Sequence, residues 1–128
     1  MSTRTAGPPG TKVHRYQKIR FWHEQGFIVM ADERTDERQV LAPVKAKERV
    51  VALLREATRM REGGWKYRDE TAALLATVRD LMSVIVEAKK YGDPFDPEVA
   101  EKEAQLNREI RVHLSGKARP KFWLPGDK

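Results

Sequence analysis

The sequence predicts a mainly α fold: a small domain of three to four helices, with a short β-hairpin, wing-like, near residues 27–42 and a flexible arm at each end. Three observations predict it. Apolar residues recur every three or four positions over about 44–62, 67–91 and 97–114. These stretches are punctuated by Gly63-Gly64, by Gly92-Asp93-Pro94 and by Ser115-Gly116. Only residues 12–43 admit strands, at Ile19–His23, Phe27–Ala31 and Gln39–Leu41.

Taken in order, residues 1–11 carry Gly, Pro and Thr without apolar periodicity and predict a flexible arm. Residues 12–115 form the single expected domain, and 116–128 a second arm. The segment 12–26 admits two readings. The favoured one is a helix capped by Thr11, running through Val13, Tyr16, Ile19, Phe21 and Trp22, and closed by Gly26. The other is a strand over Ile19–His23 joined to a strand over Phe27–Ala31 by a short loop containing Gly26. Beyond it, Phe27-Ile28-Val29-Met30 reads as a strand and Gln39-Val40-Leu41 as its return, with 32–38 the polar turn. A competing reading makes Thr35 an N-cap and starts a helix at Asp36.

The first clear helix, about Val44 to Glu62, places Ala46, Val50, Leu53, Leu54, Ala57 and Met60 on one face. Lys45, Arg49, Arg55 and Arg59 lie opposite, interleaved with Glu48, Glu56 and Glu62 as a solvated face. The second, Tyr67 to Tyr91, carries a broad stripe (Leu74, Leu75, Val78, Leu81, Met82, Ile85, Val86) and predicts the centre of the core. The third opens with Asp96 as N-cap, Pro97 as first helical residue and Glu98 in the first turn. Its stripe, Val99, Leu106, Ile110 and Leu114, is narrow, as for a helix at the domain edge or one that pairs with a partner helix.

At 128 residues the chain can bury a core without staples. The absence of cysteine excludes disulfides, thiolate chemistry and Cys-rich zinc sites. No apolar run is long enough for a bilayer, and the first ten residues lack the hydrophobic stretch of a secretory signal, so a cytoplasmic location, or one within a virus particle, is expected. The formal charge of +6 favours polyanionic partners. It is unevenly spread: +4 over 1–27, −2 over 28–42, +4 over 43–66, −4 over 92–107 and +4 over 108–128. There is no nucleophile motif, phosphate loop or metal-ligand spacing, and His14, His23 and His113 are scattered. No catalytic residue, metal or cofactor is therefore expected, and the chain reads as a binding protein and not an enzyme.

The distinctive chemistry is rings among cations. His14 to His23 mixes both in one short segment, suited to phosphate contact and base stacking. Arg15, Lys18, Arg20, Trp22, Arg34 and Arg38 are the candidate nucleic-acid-binding residues. In the C-terminal arm, Lys121, Phe122, Trp123 and Leu124 form a candidate partner-binding knot between two prolines.

The segment Ile19-Arg20-Phe21-Trp22-His23-Glu24-Gln25-Gly26-Phe27-Ile28, followed by Arg34-Thr35, resembles the end of the recognition helix and the wing of MerR-type winged-helix DNA-binding regulators. The resemblance covers about residues 18–38 and lacks the first helix of the helix-turn-helix, whose place is taken by Gly7-Pro8-Pro9-Gly10. It implies DNA phosphate contacts by Arg20 and Arg34, flanked by Lys18 and supported by Phe21 and Trp22, with helix 97–114 as a homo-oligomer contact. The function expected from the sequence is a non-enzymatic, DNA-binding regulator-like protein. The alternative is a structural adaptor in a large assembly, a virus particle or ribonucleoprotein, anchored by its arms to protein subunits.

Overall fold

The computed structural model describes residues 7–91 and 96–114. Four strands precede three helices. Strands β1 (His14–Tyr16), β2 (Ile19–Glu24), β3 (Phe27–Asp32) and β4 (Arg38–Leu41) form one antiparallel sheet in the order β1-β2-β3-β4. Helices α1 (Pro43–Glu62), α2 (Arg68–Lys89) and α3 (Pro97–Leu114) follow, and a 3-10 turn, Trp65–Tyr67, joins the first two.

This overturns the mainly helical expectation. The protein is a small α+β domain whose sheet is a full layer, and residues 14–24 are two strands, not a capped helix. The cause lies in Phe21 and Trp22. They point to opposite faces of β2 and are 1% and 0% exposed. A strand buried on both faces loses the alternation of polar and apolar residues that marks a half-buried one. The same holds for Ile28 and Val29 in β3. The turns are equally cryptic. Gln25 (φ 49°) and Gly26 (φ 89°) both occupy positive φ, the geometry of a two-residue type I′ hairpin. Gln17 (φ 55°) does the same work at the β1–β2 turn without a glycine. The helix from Asp36 does not form, since Asp36 sits in the turn at φ 60°; the hairpin expected near 27–42 is present as β3 and β4, but as half of a four-stranded sheet.

The register assigns two faces. His14, Tyr16, Ile19, Phe21, Ile28, Met30 and Leu41 face the helices, where Phe21, Ile28 and Leu41 join the main core with residues of all three helices. Arg15, Arg20, Trp22, Val29, Ala31, Arg38 and Val40 face outward. Helices α1 and α2 both lie against the sheet. The α1 face expected from its spacing is the buried one: Ala46, Val50, Leu54 and Ala57 are at most 2% exposed. Pro43 starts this helix in the first-turn position, where its missing N–H costs nothing. In α2, Leu74, Val78, Leu81, Val84 and Ile85 are buried, as befits a central helix.

Helix α3 begins as expected, with the Asp96 carboxylate accepting the Glu98 backbone N–H at 3.0 Å. It packs along α1, pointing the same way: Lys47 meets Glu103 near one end, and Thr58 meets His113 near the other. Ile110 is its one buried residue, with Leu106 half-buried beside it. The β2–β3 turn rests on the end of α2. There the Gly26 N–H donates to His23 Nε2 at 2.9 Å, and the His23 ring packs on Tyr91, centroids 4.8 Å apart.

Candidate nucleic-acid interface

The sheet brings together most of the cations and the ring singled out in the sequence. On the outer face, Arg15 lies opposite Arg20, and Ala31 sits between Arg20 and Arg38 on neighbouring strands. Trp22 is across from Val29 on the same face. Arg34 and Lys18 belong to the turns at the same end of the sheet, linked by the hydrogen bond from Glu33 N–H to the Lys18 carbonyl at 2.8 Å.

These cations are spent on carboxylates of the sheet. Glu33 Oε1 accepts from Arg15 Nε at 2.7 Å and from Arg20 Nε at 3.2 Å. Arg34 grips Asp32 with two donors, Nε at 3.1 Å and Nη2 at 2.9 Å, the forked geometry that makes guanidinium–carboxylate pairs strong. Arg38 donates to Glu24 at 2.7 Å. The carboxyl groups respond as such partners should. The hydrogen bonds from the Arg34 side chain and backbone hold Asp32 down at about 2. The Arg15 hydrogen bond, against some desolvation and with help from Arg20, holds Glu33 below the usual glutamate range. Of the five candidate cations, Lys18 alone has a side chain that meets no carboxylate among the described residues.

Trp22 is not available to stack on a base. It is 0% exposed, with Val29 and Ala31 at 1% and 0% beside it. The Arg38 guanidinium lies 5.4 Å from its ring centroid, a cation–π contact. Gly7 lies close against the ring: a Cβ there would come within 3.3 Å of it. Thus residues 7–11, expected to be a flexible arm, are in part a cover for Trp22, and a turn closed by Thr11 N–H to the Pro8 carbonyl shapes them. The partner-binding candidates Lys121, Phe122, Trp123 and Leu124 lie outside the described residues.

Sequence reasoning missed the acidic half of this surface. Glu24, Asp32 and Glu33 are distant from most of their arginines along the chain, and only the strand register makes them neighbours. It also missed the outward apolar pair on this face, Phe27 and Val40, which are 50% and 58% exposed. A β-branched residue on edge strand β4 was the available signal for the second of these.

A polar cavity on the helix side gathers Lys12, His14, His23, Asp80, Ser83 and Glu87. His14 Nδ1 is 3.7 Å from Asp80, and its ring stacks on Phe21. Among the described residues no three His, Asp or Glu side chains converge as metal ligands, and no helix is long and apolar enough to cross a membrane. Comparison with family models, with curated proteins and with solved structures gives no match for this chain.

Proposed function

We propose that the protein is a non-catalytic adaptor that holds protein partners within a larger assembly, and does not read nucleic acid through its sheet. The observation that carries this reading is the internal neutralisation of Arg15, Arg20, Arg34 and Arg38 by Glu33, Asp32 and Glu24, together with the burial of Trp22. Phosphate contact by these arginines requires displacing well-formed charge-assisted bonds, and stacking on Trp22 requires removing its cover. A protein surface faces no such obstacle at Phe27 and Val40. They flank Val29 on the outer face, beside the open edge of β4, and a partner strand or apolar side chain can use both.

The test is the state of the chain in an extract of the cells that make it. The unaltered chain is expected to elute in a complex several times its own mass. Phe27→Asp with Val40→Asp, which alters only exposed positions, is expected to move it to the elution volume of the free chain. Elution of the unaltered chain as a free protein contradicts the reading.

A second reading, association with nucleic acid through the terminal segments, is favoured by the charge balance. The described residues hold 20 Lys and Arg against 17 Asp and Glu, a net +3, so half of the total +6 lies outside them. Under it the adaptor serves a nucleoprotein assembly. The working location proposed for both readings is the cytoplasm or a virus particle, a setting that suits a chain without cysteine.

A further inference from the structure

The outer face of the sheet carries a small core of its own. Trp22 of β2 stands across from Val29 of β3, and Val29 across from Val40 of edge strand β4, so one apolar row crosses three strands. Trp22 and Val29 are buried although the helices pack on the opposite face, whereas Val40 is exposed. Two elements close the row at its Trp22 end. Arg38, held by Glu24, lies over the ring. Gly7 sits at the pyrrole edge, where an added Cβ would stand 3.3 Å from Cγ and Cδ1. Among the described residues, the strap that carries Gly7, residues 7–11, is hydrogen-bonded only to itself. Its Thr11 N–H donates to the Pro8 carbonyl around a turn with Gly10 at φ 81°. The strap brings no acceptor to the ring: Trp22 Nε1, next to Cδ1 on that edge, is buried without a hydrogen-bond partner among the described residues. A buried, unpaired donor is a standing cost to the closed form.

We propose that residues 7–11 are a displaceable strap, and that the row beneath is a docking groove for an extended, Gly-Pro-containing segment of a partner protein. The strap itself shows which chemistry the groove accepts. At the ring it places a glycine, whose missing Cβ lets the main chain lie close. Next comes Pro8, half-buried and with no N–H to satisfy. A partner segment of the same composition keeps both features and adds what the strap lacks, a main-chain carbonyl for Trp22 Nε1. That addition decides the competition. The tethered strap acts at an effective concentration of about millimolar, so an equivalent free segment loses to it. One hydrogen bond gained by a donor otherwise buried and unpaired favours the partner about tenfold. The segment then follows the row over Val29 to Val40, with Phe27 exposed beside it. This inference rests on the adaptor reading, since it names the partner chemistry of the face used there.

Fluorescence anisotropy of the full chain with a labelled peptide of five Gly-Pro repeats tests it, beside a control of five Gly-Ser repeats. Saturable binding of the first is expected, about tenfold tighter than any binding of the second. Pro8→Gly with Pro9→Gly gives the open strap more conformations to lose on closing, and is expected to tighten peptide binding about fivefold. In proton–nitrogen correlation spectra the Trp22 indole resonance, assigned by its persistence in Trp65→Phe and in Trp123→Phe, is expected to move downfield as the Gly-Pro peptide is added. Equal binding of the two peptides, a strap variant that binds no better, or a Trp22 resonance that stays in place would each overturn the proposal. Preference for a labelled peptide of this chain's residues 1–12 over the Gly-Pro repeats would assign the groove to the strap of a second copy and overturn it too. Elution from the cell extract in a complex, without peptide binding, overturns this inference alone. Peptide binding by a chain that elutes free overturns the adaptor reading and leaves the groove standing.

Discussion

Replacing Ile110 by alanine asks how α3 is held to the body. Ile110 is 3% exposed and is the one residue of α3 that is fully buried; it belongs to the same core as Val50, Val51 and Leu54 of α1. The substitution removes three carbon atoms from that core. At about 0.8 kcal/mol for each buried methylene-sized group, the lost transfer energy is about 2.4 kcal/mol, and an incompletely collapsed cavity adds to it. A loss of about 3 kcal/mol follows, within the ~2–5 kcal/mol range for buried Ile→Ala. Urea unfolding followed by circular dichroism measures it, with Val112→Ala as the control, since Val112 is 46% exposed and should change stability by less than about 0.5 kcal/mol. A loss below about 1 kcal/mol for Ile110→Ala, or equal losses for the two variants, would refute the placement of α3 against α1.

Three further outcomes follow from local geometry. Glu103→Gln keeps an acceptor oxygen but removes the negative charge beside Lys47, whose side chain is 13% exposed, and should cost about 1–2 kcal/mol, more than an exposed pair and less than a fully buried one; amide exchange across 97–114 should quicken before that of α2. Gly26→Ala forces a side chain to φ 89° and brings its Cβ to 3.3 Å from that of Tyr91, so a loss of at least about 1 kcal/mol is expected, measured by thermal unfolding. Acid should act in two stages. Desolvation, with Arg61 and Arg55 nearby and Glu109 opposing, holds the His113 imidazole below its ordinary value. The folded state therefore favours the neutral ring, and its stability contribution is whole above about pH 6.5 and falls as the pH drops through the lowered folded value. Asp32, held at about 2, and Glu33, Glu48 and Glu103, also lowered, contribute stability that is whole above about pH 4 and is lost as the pH falls through their depressed values. His113→Gln should remove the upper stage of a Tm-against-pH curve and leave the lower one; a curve unchanged above pH 5 would contradict this.

The helical half was legible because each helix is buried on one face or stripe and carries its own punctuation. Asp96, Pro97 and the stripe from Val99 to Leu114 give the start and span of α3, and Pro43 and Gly63 bracket α1. The sheet was legible only in part: β3 and β4 were expected and β2 was the second reading, but a helix was favoured over 12–26. The reason is that Phe21 beside Trp22 is apolar on both faces, and Gln17 turns β1 into β2 without the Gly or Asn that usually signals it. For the site, the clustering of Arg15, Arg20, Arg34 and Arg38 with Trp22 was readable from their closeness in sequence. What their charge does was not. Neutralisation by Glu24 and Glu33 depends on strand register, and the concealment of Trp22 depends on Gly7 folding back, neither of which local spacing encodes.

The central claim, that the sheet arginines serve the fold and not a nucleic acid, is tested most directly by fluorescence anisotropy. Labelled duplex DNA and single-stranded RNA are titrated across a salt series with the unaltered chain and with Arg20→Ala plus Arg34→Ala. The account predicts weak binding of both, lost near physiological salt with the same steep dependence for the two proteins. Tight binding that persists at physiological salt and collapses in the double variant would contradict it.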